Sequence, residues 1–305
     1  MLGPTASGKT QLACAVAAEL QGEIISADSR QIYKYMDVGT GKDLNEYTVN
    51  EKKIPYHLID IKEPGYRYNI AEFQLDFLEA DADIRTRGNQ PILCGGSGLY
   101  LETALRGNSF LGIPSDAGFY NSMKEVSAEK IEEELKKVPA DILTKLGVQT
   151  WHRKIRAIEI GNFLKQNPEW KPVENPGYNE IIIGTHISRE ERREKITNRL
   201  SHRLNHGLYE EAEYLLKNHI SFDDLEYYGL EYKWLGMYMR GTITKKELFE
   251  GLNIAIHQFA KRQMTWFRKM ETDGYVIHWI DTNLALETKV KQVIEIFRKQ
   301  ESRAN

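Results

Sequence analysis

Eight residues near the start of the chain, G-P-T-A-S-G-K-T from Gly3 to Thr10, fit the phosphate-loop pattern G-x-x-x-x-G-K-[ST] at every fixed position. The chemistry of that pattern is capture of a polyphosphate. Glycines let the backbone turn so that successive N–H groups face one phosphate group, Lys9 neutralises charge, and the Thr10 hydroxyl can hold a magnesium ion. Gly3, Pro4, Thr5, Ala6, Ser7, Gly8, Lys9 and Thr10 are therefore the candidate phosphate-binding residues. Gln11 to Leu20 reads as the helix whose N-terminus faces the anion. The loop says nothing about whether the polyphosphate is a nucleotide.

The elements that must position this loop begin with a strand in front of it. A phosphate loop ordinarily follows a buried strand of about five apolar residues, yet only Met1 and Leu2 precede Gly3. The usual central strand is expected to be mostly missing, and further residues are expected upstream. Beyond the loop the chain alternates strand and helix. E-I-I-S-A-D (Glu23 to Asp28), H-L-I-D-I (His57 to Ile61) and P-I-L-C-G-G (Pro91 to Gly96) read as short buried strands, with a helix over Ala71 to Arg87. Ligands in such sheets sit at the carboxyl ends of the strands, which puts Asp28, Asp60 and the Gly95-Gly96 turn on the rim of the phosphate loop.

From about Gly107 the chain turns to charged helices, as far as the proline-broken stretch Q-N-P-E-W-K-P-V-E-N-P. The strand N-E-I-I-I-G-T-H-I (Asn179 to Ile187) returns to the sheet, helices follow to about Lys269, and a last strand (Tyr275 to Ile280) precedes a terminal helix. The expected fold is α/β: a phosphate-loop-containing parallel sheet core over 1–106 and 179–305, flanked by helices, with an inserted helical subdomain over 107–178. On the helix from Ser188, Ile196, Leu200 and Leu204 make a core seam while Arg192, Arg199 and Arg203 share a neighbouring face. His202 and His206 lack the second-position Glu and third ligand of a metal site.

A chain of 305 residues, 41% of them hydrophobic, can bury a full core in one large domain or two ordinary ones. No apolar run approaches the ~20 residues of a membrane span and no leader pattern opens the sequence, so no membrane partner and a cytoplasmic location are expected. Cys14 and Cys94 lie in apolar patterns and read as buried free thiols. A net charge of −3 gives no global signature of nucleic-acid binding. Any such role rests on local patches, of which Arg189 to Arg203 and Lys261 to Lys269 stand out.

Together these segments resemble the tRNA dimethylallyltransferases, also called tRNA isopentenyltransferases. The resemblance spans nearly the whole chain. It is carried by G-P-T-A-S-G-K-T, by I-S-A-D-S-R-Q-I-Y-K-Y-M-D-V-G-T-G-K (Ile25 to Lys42), H-L-I-D-I and P-I-L-C-G-G-S-G-L-Y (Pro91 to Tyr100). R-K-I-R-A-I-E-I (Arg153 to Ile160), R-L-N-H-G-L-Y-E-E-A (Arg203 to Ala212) and F-A-K-R-Q-M-T-W-F-R (Phe259 to Arg268) continue it. It implies transfer of a dimethylallyl group from dimethylallyl diphosphate to N6 of adenine-37, beside the anticodon, in tRNAs reading codons that begin with U. The loop then holds a diphosphate rather than ATP, with Mg²⁺ at Thr10. Asp28 takes the N6 proton, and Ser97 and Arg199 assist at the leaving group. Asp28, Ser29, Arg30, Gln31, Arg153, Arg156, Lys261 and Arg262 are the implied contacts to the tRNA anticodon stem-loop, and the enzyme is expected to be a monomer.

The chain departs from the family pattern at several positions. Ser97 stands where Thr is usual, which keeps the hydroxyl. Glu226-Tyr-Tyr-Gly-Leu-Glu231 occupies a stretch that typically ends in Gly-Tyr-Lys or Gly-Tyr-Arg. His257 and Asn121 replace arginines, and the segment before Arg153 lacks the usual His-Pro-Asn-Asp. A transferase acting on free adenine nucleotides is the second enzyme reading, and a phosphate-loop kinase or NTPase, with Asp60 as its magnesium acid, is the third. For Asp28 the alternative role is a carboxylate that caps a turn with Ser29. Asp28→Asn keeps the shape and removes the base, so turnover is expected to fall about 10²- to 10⁴-fold with both substrate affinities nearly intact. Single-turnover kinetics with separate binding titrations check this, and retained turnover removes Asp28 from proton transfer.

Overall fold

Short runs of β-branched and apolar residues make the sheet. Gly22–Ala27 (β1) is buried along its whole length. Thr48–Val49 (β2) and Lys52–Lys53 (β3) form a small antiparallel hairpin. Tyr56–His57 (β4), Gln90–Gly95 (β5), Ile182–His186 (β6) and Ile277–Asp281 (β7) complete the strands. The structure, a computed structural model, describes residues 1–107, 109–171 and 177–304.

The pairing is parallel: β1 runs beside β5 from Gly22↔Gln90 to Ala27↔Gly95, and beside β4 at Ile24↔Tyr56. β6 runs beside β7 from Ile182↔Ile277 to His186↔Asp281. The two halves meet through Met1 and Leu2. Leu2, 1% exposed, donates its N–H to Ile183 O at 2.8 Å and accepts from Thr185 N–H at 2.9 Å, while Gly95 N–H donates to Met1 O at 3.2 Å. The order is β4–β1–β5–Leu2–β6–β7, with Leu2 in the central position directly before the glycine-rich turn. The expected strand over 57–61 is cut to Tyr56–His57. Leu58 (φ 60°) and Asp60 (φ 57°) are left-handed and cannot continue an extended run, and Asp60 and Ile61 turn their N–H groups to Gln31 O and Ile32 O.

The helices pack on both sides of this strand set. Lys9–Leu20 (α1) follows the glycine-rich turn, Ile70–Thr86 (α2) starts in an Asn69/Glu72 capping box, and Gly98–Arg106 (α3) follows β5. Ala117–Ser122 (α4), Ala128–Leu135 (α5), Ala140–Leu146 (α6) and Trp151–Gln166 (α7) come next. They belong to a separate compact unit, Arg106–Pro176, with its own core of Ile131, Leu135, Ile142, Ile155 and Ile158. The other unit comprises Met1–Leu105 and Gly177–Asn305. In it Arg189–Asn205 (α8) is capped by Ser188 and buries Ile196 and Leu200. Leu208–Asn218 (α9), Phe222–Leu225 (α10), Leu230–Met239 (α11), Lys245–Thr272 (α12) and Leu286–Ala304 (α13) complete it. Among the described residues no helix is long and apolar enough to cross a membrane, and Cys14 and Cys94 are buried free thiols.

One carboxylate inside β1 anchors the sheet to the end of α2. Glu23, 3% exposed, accepts from Arg87 Nη2 at 2.8 Å and Asn89 Nδ2 at 2.7 Å, and lies 2.7 Å from His57 Nε2. Burial alone pushes its pKa up, but the hydrogen bonds from Arg87, Asn89 and His57 and the Arg87 charge outweigh that and hold it at about 2. Because the folded value lies below the unfolded one, the contribution is complete above the ordinary glutamate range and is lost as pH falls toward 2. Glu23→Gln should flatten the acid limb of the stability–pH curve in that window. Urea titrations across the window check it, and an unchanged limb contradicts the assignment.

Candidate active site

The turn between Leu2 and α1 is built to aim backbone donors. Ala6 (φ 62°) and Gly8 (φ 72°) are left-handed, and Gly8 is the N-cap of α1. Left-handed residues in such a turn point successive N–H groups to one side, where an anion can be held in front of the helix. The turn is braced from two flanks. On one, Ser7 Oγ donates to Pro4 O at 2.8 Å and lies 2.7 Å from Thr185 Oγ1 of β6. A Cβ at Gly3 would sit 1.9 Å from that Thr185 oxygen, so only glycine fits. On the other, buried Gln263 of α12 accepts from Thr5 N–H at 2.8 Å and donates to Gly96 O at 2.9 Å. One amide side chain therefore ties the phosphate loop to the turn that carries Ser97. Trp266, one helical turn on, fills the space at Gly98, where a Cβ would meet its ring at 2.3 Å.

Lys9, Asp28 and Arg199 share one neighbourhood. Burial lowers the pKa of Lys9, and the charges acting on it include Asp28 and Glu46, which raise it, and Arg199, which lowers it. Asp28 stands half-buried at the end of β1, where its Oδ1 accepts from Arg30 N–H at 2.9 Å. It thus caps a turn through Arg30, and Oδ2 makes no hydrogen bond to a described residue. Ser97 is half-buried just before α3, and Arg199 approaches Asp43 at 3.8 Å. Thr10 lies in the first turn of α1. Among the described residues no three His, Cys, Asp or Glu side chains gather to hold a metal. A single hydroxyl still fits Mg²⁺, which keeps several waters and takes other ligands from phosphate oxygens.

The remaining sequence candidates differ in their surroundings. Ser29 is half-buried, and Arg30 places its guanidinium 4.9 Å from the Tyr227 ring. Gln31 is engaged within the fold, accepting from Ser26 Oγ at 2.9 Å and donating to Gly41 O at 3.1 Å. Lys261 and Arg262 are exposed on α12. In the other unit Arg153 is exposed, whereas Arg156 donates to Ile113 O at 2.6 Å and Pro114 O at 2.9 Å and pairs with Glu159. Arg156 thus holds the 113–114 turn onto α7. Asp60 is committed to Lys42, a buried cation that also donates to Asp37 at 2.6 Å and to Tyr33 O at 2.7 Å. It is not a free magnesium acid. His202 and His206 stack on each other, with His206 Nδ1 2.7 Å from His202 O.

Gln263, Thr185, Lys42 and Glu211 were legible only as letters within longer motifs. Glu211 accepts from the N–H groups of Asp37, Val38 and Gly39 at 2.6, 2.7 and 2.8 Å and from Tyr232 Oη at 2.7 Å, fixing the loop that follows Asp28. A glutamate on a helix face reads as solvated until its partner loop is known.

A parallel α/β sheet whose central position leads through a braced glycine-rich turn into a helix is the architecture in which the sequence pattern of a phosphate loop stands here. The family model described as IPP transferase matches residues 31–270, and the chain belongs to that family. It is 53% identical over 296 residues to the tRNA dimethylallyltransferase 2 of Bacteroides fragilis, covering 96% of this chain and 95% of that one. It is 50% identical over 297 residues to the tRNA dimethylallyltransferase 2 of Phocaeicola vulgatus, covering 97% and 96%. Among solved structures, the full-length tRNA isopentenylpyrophosphate transferase of Bacillus halodurans superposes with a TM-score of 0.72 at 28% identity, covering 99% of this chain and 95% of that one.

The two Gln263 hydrogen bonds generate a test. Gln263→Leu leaves Thr5 N–H and Gly96 O without partners, and is expected to lower stability by about 1–3 kcal/mol and turnover by about tenfold or more. Urea unfolding and steady-state assays measure both. Loss of stability with turnover intact would remove Gln263 from the positioning of the loop.

Proposed function

We infer that this enzyme transfers a dimethylallyl group from dimethylallyl diphosphate to N6 of adenine-37 in tRNA. The observation that carries the reading is the braced phosphate loop with Arg199 lining a cavity against its Thr5 and Ala6, in a chain belonging to the IPP transferase family. In the reaction N6 attacks the allylic C1, the C1–O bond breaks with its electron pair staying on the diphosphate, and the N6 proton passes to Asp28. The loop N–H groups, Lys9 and Arg199 stabilise the charge that grows on the leaving oxygen. The Thr10 hydroxyl would hold Mg²⁺, which would supply further neutralisation of the diphosphate. Ser97, tied to the loop through Gln263 and Gly96, is a hydroxyl donor for the same group. A cytoplasmic, monomeric enzyme fits this reading.

The acceptor reading draws on charge as well. Arg189, Arg192 and Arg193 of α8 and His257, Lys261 and Arg268 of α12 line a groove of about 440 Å³. Among the described residues no carboxylate lies within ion-pair distance of these five arginines and lysines, whereas Lys34, Lys42, Arg67, Arg85 and Arg87 are all paired. Burial, then Arg189 and Arg268, holds Arg192 below the usual guanidinium pKa, and burial with Arg193 and Arg192 does the same to His257. Like charges packed without close ion pairs suit a polyanion, although Glu190 acts on Arg192 at longer range. An RNA backbone running along α8 from Arg192 toward Arg199 supplies one, and delivers a splayed base to Asp28.

Transfer of a radiolabelled dimethylallyl group to tRNA and to AMP tests the acceptor directly: label in tRNA alone is expected, and label in AMP alone overturns the tRNA reading. Arg192→Glu with Arg193→Glu should raise KM for tRNA and reduce the salt slope of binding by about 0.7 per lost single-strand phosphate contact. An unchanged slope would make the groove a solvated surface.

A further inference from the structure

Arg203 stands one turn beyond Arg199 on α8, and its guanidinium is enclosed. The residue is 9% exposed, and its Nη2 has no hydrogen-bond partner. The Oδ2 of Asp43 lies 3.7 Å from that atom and 3.8 Å from Nη2 of Arg199, too far for a hydrogen bond to either. Both Nη2 atoms converge on Gly41, where a Cβ would stand 2.1 Å from each. Arg199, Arg203 and Glu231 line a cavity of about 20 Å³ against Thr5 and Ala6 of the phosphate loop. That is the room of one water or one phosphate oxygen.

Glu231 gives the cluster its meaning. The family resemblance leads to Lys or Arg at this position, so a cation is replaced by an acid. Burial holds the Glu231 carboxyl above the ordinary glutamate value, opposed in part by Arg203, its own backbone N–H and Arg199. Burial lowers Arg203 to about 10, with Asp43, Glu231 and Glu211 acting in the opposite sense. Two guanidinium groups of α8 and the Glu231 carboxyl thus line the same small cavity beside the loop. An idle, buried guanidinium donor beside a phosphate loop is unfavourable until an acceptor arrives, and the planar fork of arginine matches phosphate oxygens.

We propose that Arg203 is a second guanidinium for the diphosphate, closing with Arg199 on one of its oxygens at the loop, while Glu231 holds the two arginines in place. This rests on the diphosphate reading above and assigns it a residue. As C1 bonds to N6 and the C1–O bond releases its electron pair to the diphosphate, the idle Nη2 hydrogen meets the oxygen charge that appears.

Calorimetric titration with magnesium pyrophosphate tests the assignment without requiring turnover. The double variant Arg203→Met, Glu231→Gln removes both charges together and leaves no acid unpaired. It is expected to bind pyrophosphate about tenfold or more weakly while binding an anticodon stem-loop within about twofold of wild type. Unchanged pyrophosphate affinity in the folded double variant overturns the proposal. If that variant does not fold, Arg203→Lys, which keeps a cation beside Glu231 but loses the fork, is read instead: about fivefold weaker binding supports the proposal and unchanged binding overturns it. Wild-type enzyme that fails to bind pyrophosphate sinks the diphosphate reading itself, an outcome distinct from wild-type binding with unaffected variants.

Discussion

The turn from Gly3 to Gly8 can hold an anion only if its backbone stays in a conformation that an isolated peptide would not keep. Ala6 is left-handed without the freedom of glycine, so the surroundings must over-determine the turn. They do so with hydrogen bonds from distant parts of the chain. Thr185 clamps Ser7 from β6, and Gln263 clamps Thr5 from α12 while reaching Gly96 at the end of β5. Leu2, hydrogen-bonded to the β6 backbone and held beside β5, sets where the turn begins. Three segments far apart in sequence thus meet at one loop, and the order of the sheet is what brings them there.

Charge is distributed to match. The chain is acidic overall, yet acids and bases are not mixed evenly. Glu23, Asp60 and Glu211 each satisfy internal donors and hold loops or strands in place. Lys9, Arg199 and Arg203 gather at the loop, attended at longer range by Asp43, Glu46 and Glu231. Burial raises Glu46, and Asp43 adds to that, while Arg199 and Lys9 oppose it. The cations at the loop therefore face acids held at a distance rather than in tight ion pairs. An incoming phosphate can displace a loose ionic contact far more readily than a bidentate one.

Much of this was legible in the residues. The phosphate-loop letters and the helices starting near Lys9, Ile70 and Arg189 follow from glycine placement, capping residues and apolar periodicity. The strand over 57–61 was not legible, because left-handed Leu58 and Asp60 are imposed by pairing with Gln31 and Ile32 and leave no compositional mark. Nor could periodicity show that Met1 and Leu2 stand between β5 and β6. Arg156 carries the same letter as Arg153, yet it turns inward to Ile113 and Pro114, a difference set by the turn it meets. Gln263 and Arg203 act through partners more than a hundred residues away or through an unmade hydrogen bond, which no local pattern records.

On the proposed function, the braced loop recognises an allylic diphosphate rather than a nucleoside triphosphate. Equilibrium displacement of magnesium pyrophosphate from the wild-type enzyme tests this most directly. Dimethylallyl diphosphate should displace it and ATP at equal concentration should not. Displacement by ATP with no effect of dimethylallyl diphosphate would contradict the account.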